Sequence, residues 1–176
     1  NTVIYSITDP DDVSIERGEA DVVRFDDLPS GVKNVQVWLP HNAYVELREF
    51  KLDPGSILES SNDPSRHWVH YGSSISHCME AEQPALTWPA VAARAGGVSL
   101  HSLGFGGQCH LDQFIARTIR DLKPDVISIK VGINIINMDS MRERVFVPAL
   151  HGFLDTIREG NPETKILLVS PIFCPS

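Results

Sequence analysis

From Arg66 onward the chain alternates short apolar runs with amphipathic stretches, separated by glycine and proline punctuation. Trp68-Val69-His70-Tyr71 stops at Gly72, and Val98-Ser99-Leu100-His101 follows the pair Gly96-Gly97. The run from Asp125 to Val131 lies between Lys123-Pro124 and Gly132, and Lys165 to Val169 follows Gly160. The intervening stretches predict an alanine-rich helix over about 85–95 and a second from His110 to Leu122, with Phe114, Ile115, Thr118 and Ile119 on one face. A longer helix is expected from Ser140 to Glu159, where Met141, Val145, Ala149, Phe153 and Ile157 recur every fourth residue and Gly160 supplies a left-handed cap. Strands alternating with helices require right-handed βαβ crossovers, so the expected class is α/β with a parallel sheet.

The first third reads differently. Residues 1–62 carry a net charge of −7 and residues 63–176 a net −1. The alternating runs Ala20–Phe25, Asn34–Leu39 and Ala43–Phe50 predict short antiparallel strands. Asp53-Pro54-Gly55 and the stretch Ser60–Ser65 carry turn chemistry and mark a linker, dividing the chain into 1–62 and 63–176. The chain begins with Asn1 and stops a few residues after an apolar run, at Ser176, so both ends are expected to be cut.

Composition narrows the function. A net charge of −8 offers no basic footprint for nucleic acid or an anionic membrane surface, and no apolar run reaches membrane-spanning length. The three cysteines, Cys78, Cys109 and Cys174, lack Cys-x-x-Cys spacing, which argues against a disulfide scaffold and a structural zinc site. Cys78 and Cys109 are expected as free buried thiols, with a bridge as the alternative.

Chemistry gathers where parallel strands end. Three such ends read Gly72-Ser73-Ser74-Ile75-Ser76, Gly104-Phe105-Gly106-Gly107-Gln108 and Gly132-Ile133-Asn134. A serine after a glycine turn can serve as a nucleophile, and loop N–H groups with an asparagine amide are the donors a developing oxyanion needs. Taken singly, each also reads as an ordinary tight turn. Ser76 stands where a Gly-x-Ser-x-Gly elbow requires glycine, Cys109 stands where a dinucleotide loop requires its third glycine, and no phosphate loop is present. His77 and His110 follow Ser74 and Gly107 by three residues and can line a pocket, although a structural role for each is the simpler reading. The acidic group Asp9, Asp11 and Asp12 reads as a solvated turn rather than a calcium loop.

Together the three blocks resemble those of the GDSL, or SGNH, hydrolase superfamily. Gly72, Ser74 and Ile75 match its Gly-Asp-Ser-(Leu/Ile) block, with Ser73 in place of aspartate. Gly107 matches the glycine of its Asn-x-x-x-x-Gly loop, with Ser102 replacing asparagine, and Gly132 and Asn134 match Gly-x-Asn-Asp, with Ile135 replacing aspartate. The resemblance spans about residues 66–176 and implies a flavodoxin-like three-layer α/β/α core. It further implies a serine esterase in which Ser74 is the nucleophile and the Ser74 N–H, Gly107 N–H and Asn134 amide hold the oxyanion. The family's Asp-x-x-His base does not occur in this chain, so that segment is expected beyond Ser176. The expected substrate is a small ester, for example an acylated carbohydrate, with no cofactor or metal. Two alternatives remain: an acyltransferase delivering the acyl group to a sugar or natural-product hydroxyl, and a non-catalytic carbohydrate-binding protein. Relatives with an N-terminal β-sandwich imply that residues 1–62 are part of a jelly-roll-like domain plus linker. Trp38, His41 and Tyr44 would then face a sugar, or Trp38 would be core.

Overall fold

Gly72, Gly104, Lys130 and Val169 lie side by side in one row across a four-stranded parallel sheet, the feature from which the larger part of the molecule is built. The computed structural model describes residues 2–3, 5–9, 12–15, 21–60 and 66–173. The chain divides into two units, residues 1–62 and 63–176.

In the first unit, β1 (Thr2–Val3) pairs antiparallel with β4 (Tyr44–Val45), and β2 (Tyr5–Asp9) forms a hairpin with β3 (Asp12–Ile15). Asp9 and Asp12 are partners at the end of this pairing, and Asp11, the third member of the acidic group, lies outside the described residues. Of the three strands expected from alternation, only Tyr44–Val45, within the 43–50 run, is formed; residues 21–25 and 34–39 are irregular. Alternation stabilises a strand only where its apolar half meets a second surface. Here Val22 and Val35 remain 78% and 62% exposed.

In the second unit the strands are β5 (His67–Gly72), β6 (Ser99–Gly104), β7 (Val126–Lys130) and β8 (Lys165–Val169), in the order β6-β5-β7-β8. Between them run α1 (Ser74–His77), α2 (Trp88–Gly96), α3 (Gln113–Leu122), α4 (Ile133–Asn137) and α5 (Glu143–Gly160). Strand order and alternation agree with the expected α/β class. On one face of the sheet, Val69, Tyr71, Ile127 and Ile129 pack with Ile115 and Ile119 of α3 and Phe153 and Ile157 of α5.

Three local expectations need correction. On α3 the buried stripe is Ile115, Ala116 and Ile119, while Phe114 is exposed. On α5, Phe153 and Ile157 are buried but Val145 is exposed. A four-residue repeat advances roughly 40° beyond a full helical turn at each step, so three steps rotate Val145 off the stripe that Phe153 and Ile157 define. Gly160 stays helical rather than capping, and its missing side chain lets the end of α5 approach α3, since a Cβ there would lie 2.6 Å from the Arg120 carbonyl oxygen. Asn161 does the capping instead: its Nδ2 donates to the carbonyls of Ile157 (3.0 Å) and Arg120 (3.1 Å), joining the ends of α5 and α3.

Candidate functional site

The loops after β6, β5 and β7 leave from the same edge of the sheet, because Gly104, Gly72 and Lys130 are register partners. After β5 the backbone turns at once into α1. A Cβ on Gly72 would sit 2.2 Å from Ser76 Oγ, so only glycine lets this turn fold directly onto the strand. Ser73 is buried and caps the helix, its Oγ accepting from the Ile75 N–H at 3.3 Å. Ser74 opens the helix and is exposed. Its N–H lies in the first turn, where no carbonyl four residues back is available within the helix. Cys78, in a left-handed conformation (φ 54°), ends the turn.

The glycine loop after β6 packs beside this turn. The Phe105 N–H donates to the Gly72 carbonyl at 2.9 Å, and a Cβ on Gly104 would lie 2.6 Å from the His77 nitrogen. A Cβ on Gly106 would lie 3.9 Å from Ser74 Cβ and 3.4 Å from His77 Nδ1. Gly107 has φ +70°, and its Cβ position is 3.6 Å from Met138 Cε, just past α4. The two loops are therefore neighbours, with Gly106 nearest Ser74.

Asn134 is buried on α4, and its Oδ1 accepts the Cys109 N–H at 3.2 Å. That bond ties the β6 loop to the β7 loop and fixes which end of the amide is which. It leaves Asn134 Nδ2, which is not sealed from solvent without a partner, as the available donor. Gly132, with φ +120°, opens this loop under Pro171, whose Cγ would be 2.9 Å from a Cβ there.

Among the described residues, histidine–serine hydrogen bonds run to Ser76 and Ser128. His70 Nε2 lies 2.7 Å from Ser76 Oγ, and His70 Nδ1 lies 2.6 Å from Ser128 Oγ. The Trp68 indole N–H donates to the same Ser128 Oγ at 2.8 Å. Burial first, and the nearby Lys130 cation second, lower the His70 pKa to about 4, so the ring is neutral at pH 7. Sequence reasoning set His70 in an apolar strand and gave it no role. Its parity with Trp68, opposite Val69 and Tyr71, was the available signal. His77 is half-buried beside the glycine loop, and the His110 N–H bonds the Gln108 carbonyl at 3.0 Å.

Cys109 is a buried free thiol, whereas Cys78, expected to be buried, is half-buried. Burial pushes the Cys109 pKa up to about 11, which keeps it protonated and unreactive. Among the described residues no group of three or more His, Cys, Asp or Glu side chains is placed to hold a metal. No described helix is long and apolar enough to cross a membrane. On the sheet face that carries His70, a groove of about 630 Å³ is lined by Trp68, His70, Ile75, Trp88, Ser128 and Lys130, among others. In the first unit Trp38 is 41% exposed, its indole N–H 3.4 Å from Gln36 Oε1, and is not a core residue; His41 is half-buried, and the Tyr44 side chain lies outside the described residues.

Comparison with known proteins agrees with this fold. The profile of the GDSL-like Lipase/Acylhydrolase family matches residues 65–173. Among solved structures, the salicylyl-acyltransferase SsfX3 from a tetracycline biosynthetic pathway is 44% identical, with a TM-score of 0.60 over 66% of this chain and 35% of that one. A family two carbohydrate esterase from Clostridium thermocellum, solved with cellohexaose, is 17% identical, with a TM-score of 0.55 over 69% of this chain and 48% of that one. The latter likeness is one of fold. The chain thus spans less than half the length of either structure. No curated protein matches it.

Proposed function

The chain belongs to the GDSL-like lipase/acylhydrolase family, and from that premise we propose that Ser74 carries the acyl group of a small ester as a covalent intermediate. Ser74 Oγ attacks the ester carbonyl, the carbonyl oxygen becomes an oxyanion, and the alcohol leaves with a proton. The oxyanion is held by the Ser74 N–H, the Gly107 N–H and Asn134 Nδ2. The family resemblance implies that the proton acceptor is the histidine of an Asp-x-x-His element. The observation that carries this reading is the exposed Ser74 beside a glycine loop that is tied by the Cys109–Asn134 bond to a buried strand-end amide. In the principal reading water then releases the acid, which makes the protein an esterase of acylated small molecules or carbohydrates.

A second reading is supported by the 44% identity to a salicylyl-acyltransferase: the acyl group passes to a hydroxyl of a second substrate. Both readings share the acyl-enzyme and differ in what reaches it. Supplying an activated ester to the full-length protein, with and without a polyol acceptor, and quantifying free acid against acylated acceptor decides between them. Acid alone at saturating acceptor supports the esterase, and acceptor ester as the main product supports the transferase. If the ester is consumed no faster than in buffer, both fail. The residues of the first unit are proposed as part of a β-sandwich domain that precedes this catalytic unit in the sequence.

A further inference from the structure

The helix that carries Ser74 is only four residues long, too short to hold its own shape. Something outside it must fix the position of Ser74. Three contacts do so. Ser73 caps it, the Trp88 indole N–H donates to the Ile75 carbonyl at 2.8 Å, and Ser76 Oγ is bonded to His70 Nε2 at 2.7 Å. Only the last reaches down into the sheet. Through its other nitrogen His70 is bonded to Ser128 on β7, the strand that runs on to Gly132 and Asn134. His70 thus links the turn that presents Ser74 to the strand that presents the Asn134 amide.

Resting on the reading of Ser74 as nucleophile, we propose that His70 is a positioning residue for the reaction, setting the placement of Ser74 against Asn134 through the Ser76–His70–Ser128 bridge. Ser76 is itself 1% exposed and cannot meet a substrate, so the bridge does not compete as a second Ser–His nucleophile. His70 is equally buried, and the neutral ring offers one donor and one acceptor to its two hydroxyl partners. The rings of Trp68 and Trp88, 5.7 Å and 4.9 Å from the imidazole, confine its orientation. Substituted glycines would not serve here, since a Cβ on Gly72 would displace Ser76 Oγ, the acceptor or donor of the bridge.

Glutamine places its terminal amide near the position of Nε2, whereas asparagine reaches only that of Nδ1. His70→Gln therefore keeps the Ser76 bond and loses the Ser128 bond, and His70→Asn does the reverse. The test is the rate at which a fluorophosphonate modifies Ser74 in the full-length protein, normalised to folded protein by near-ultraviolet circular dichroism, together with kcat and KM on an activated ester. His70→Asn and Ser76→Ala are each expected to slow modification and kcat by roughly 10–100-fold with KM little changed, as displacement of a reacting atom by an ångström does. His70→Gln, which keeps the Ser76 bond but not the Ser128 bond, should recover only part of the rate, and the double variant His70→Asn/Ser76→Ala should be no slower than the slower single one. If Ser76→Ala modifies Ser74 at the wild-type rate, or if both His70 variants lose rate only in proportion to lost folded protein, the positioning role is overturned. A wild-type protein that is not modified at Ser74 overturns the nucleophile reading first, and this proposal with it.

Discussion

The two faces of the sheet use the same strands for different ends. Toward α3 and α5, β5 and β7 present Val69, Tyr71, Ile127 and Ile129, all fully buried and apolar apart from the Tyr71 hydroxyl, which accepts the Leu111 N–H at 3.2 Å. Toward α1 and α2 the alternate residues are Trp68, His70, Ser128 and Lys130, of which Trp68, His70 and Ser128 are joined to one another and to Ser76 by hydrogen bonds at 2.6–2.8 Å. The first face is non-directional: it gains free energy from apolar area and tolerates small shifts. The second is directional, because hydrogen bonds between buried groups fail if the partners move. A one-residue alternation thus separates what stabilises the unit from what aims its strand-end loops.

That division can be broken from either side. The largest effect belongs where both faces terminate: Ser74→Ala is expected to lower kcat by at least about 10⁴-fold while leaving the melting temperature near wild type, measured by ester turnover and calorimetry. On the apolar face, Phe153→Ala should cost about 3–5 kcal/mol in denaturant unfolding, yet leave the rate of Ser74 modification per folded molecule unchanged. A slower rate per folded molecule would show that the apolar face also aims the site. At the strand ends, Asn134→Ala should lower kcat by roughly 10²–10³-fold, the loss of one oxyanion donor, and cost about 1–3 kcal/mol of stability because the buried Cys109 N–H loses its acceptor.

The smallest effect sharpens the comparison through pH. The folded His70 titrates near 4, below its ordinary 6.5, so between these values the unfolded chain binds a proton that the folded one does not. Stability should therefore fall as pH drops from about 7 to 4, by up to about 3 kcal/mol, and His70 should contribute no further loss below that. His101, lowered by burial and then by His67, shares the sign, so the comparison to make is wild type against His70→Gln. The variant should show the shallower dependence in urea titrations at pH 7 and pH 4.5; equal slopes would place the effect elsewhere.

Much of the second unit was legible in the sequence, and for identifiable reasons. The strand Lys165–Val169 falls where the apolar run predicts it, and β5 and β7 end at or within two residues of their expected glycines. Buried parallel strands are continuous apolar runs, and glycine marks where they stop. The three strand-end blocks were found because glycine at Gly72, at Gly104 and Gly107, and at Gly132 answers a need for close approach or positive φ. The short helix Ile133–Asn137 was missed, since five residues carry too little periodicity to read. Alternation in residues 21–39 predicted strands that are not formed, because periodicity says which side is apolar but not what covers it. The same blindness hid His70. Its neighbours in the sequence are apolar, and its partners Ser76 and Ser128 come from a following turn and a strand 58 residues away.

The central claim is that Ser74 is an activated nucleophile at the carboxyl edge of this sheet. Exposing the full-length protein to a fluorophosphonate, recording its intact mass and mapping the modified peptide tests it most directly. The account predicts a single adduct, on Ser74, absent from Ser74→Ala. No adduct, or one on any other residue, would contradict it.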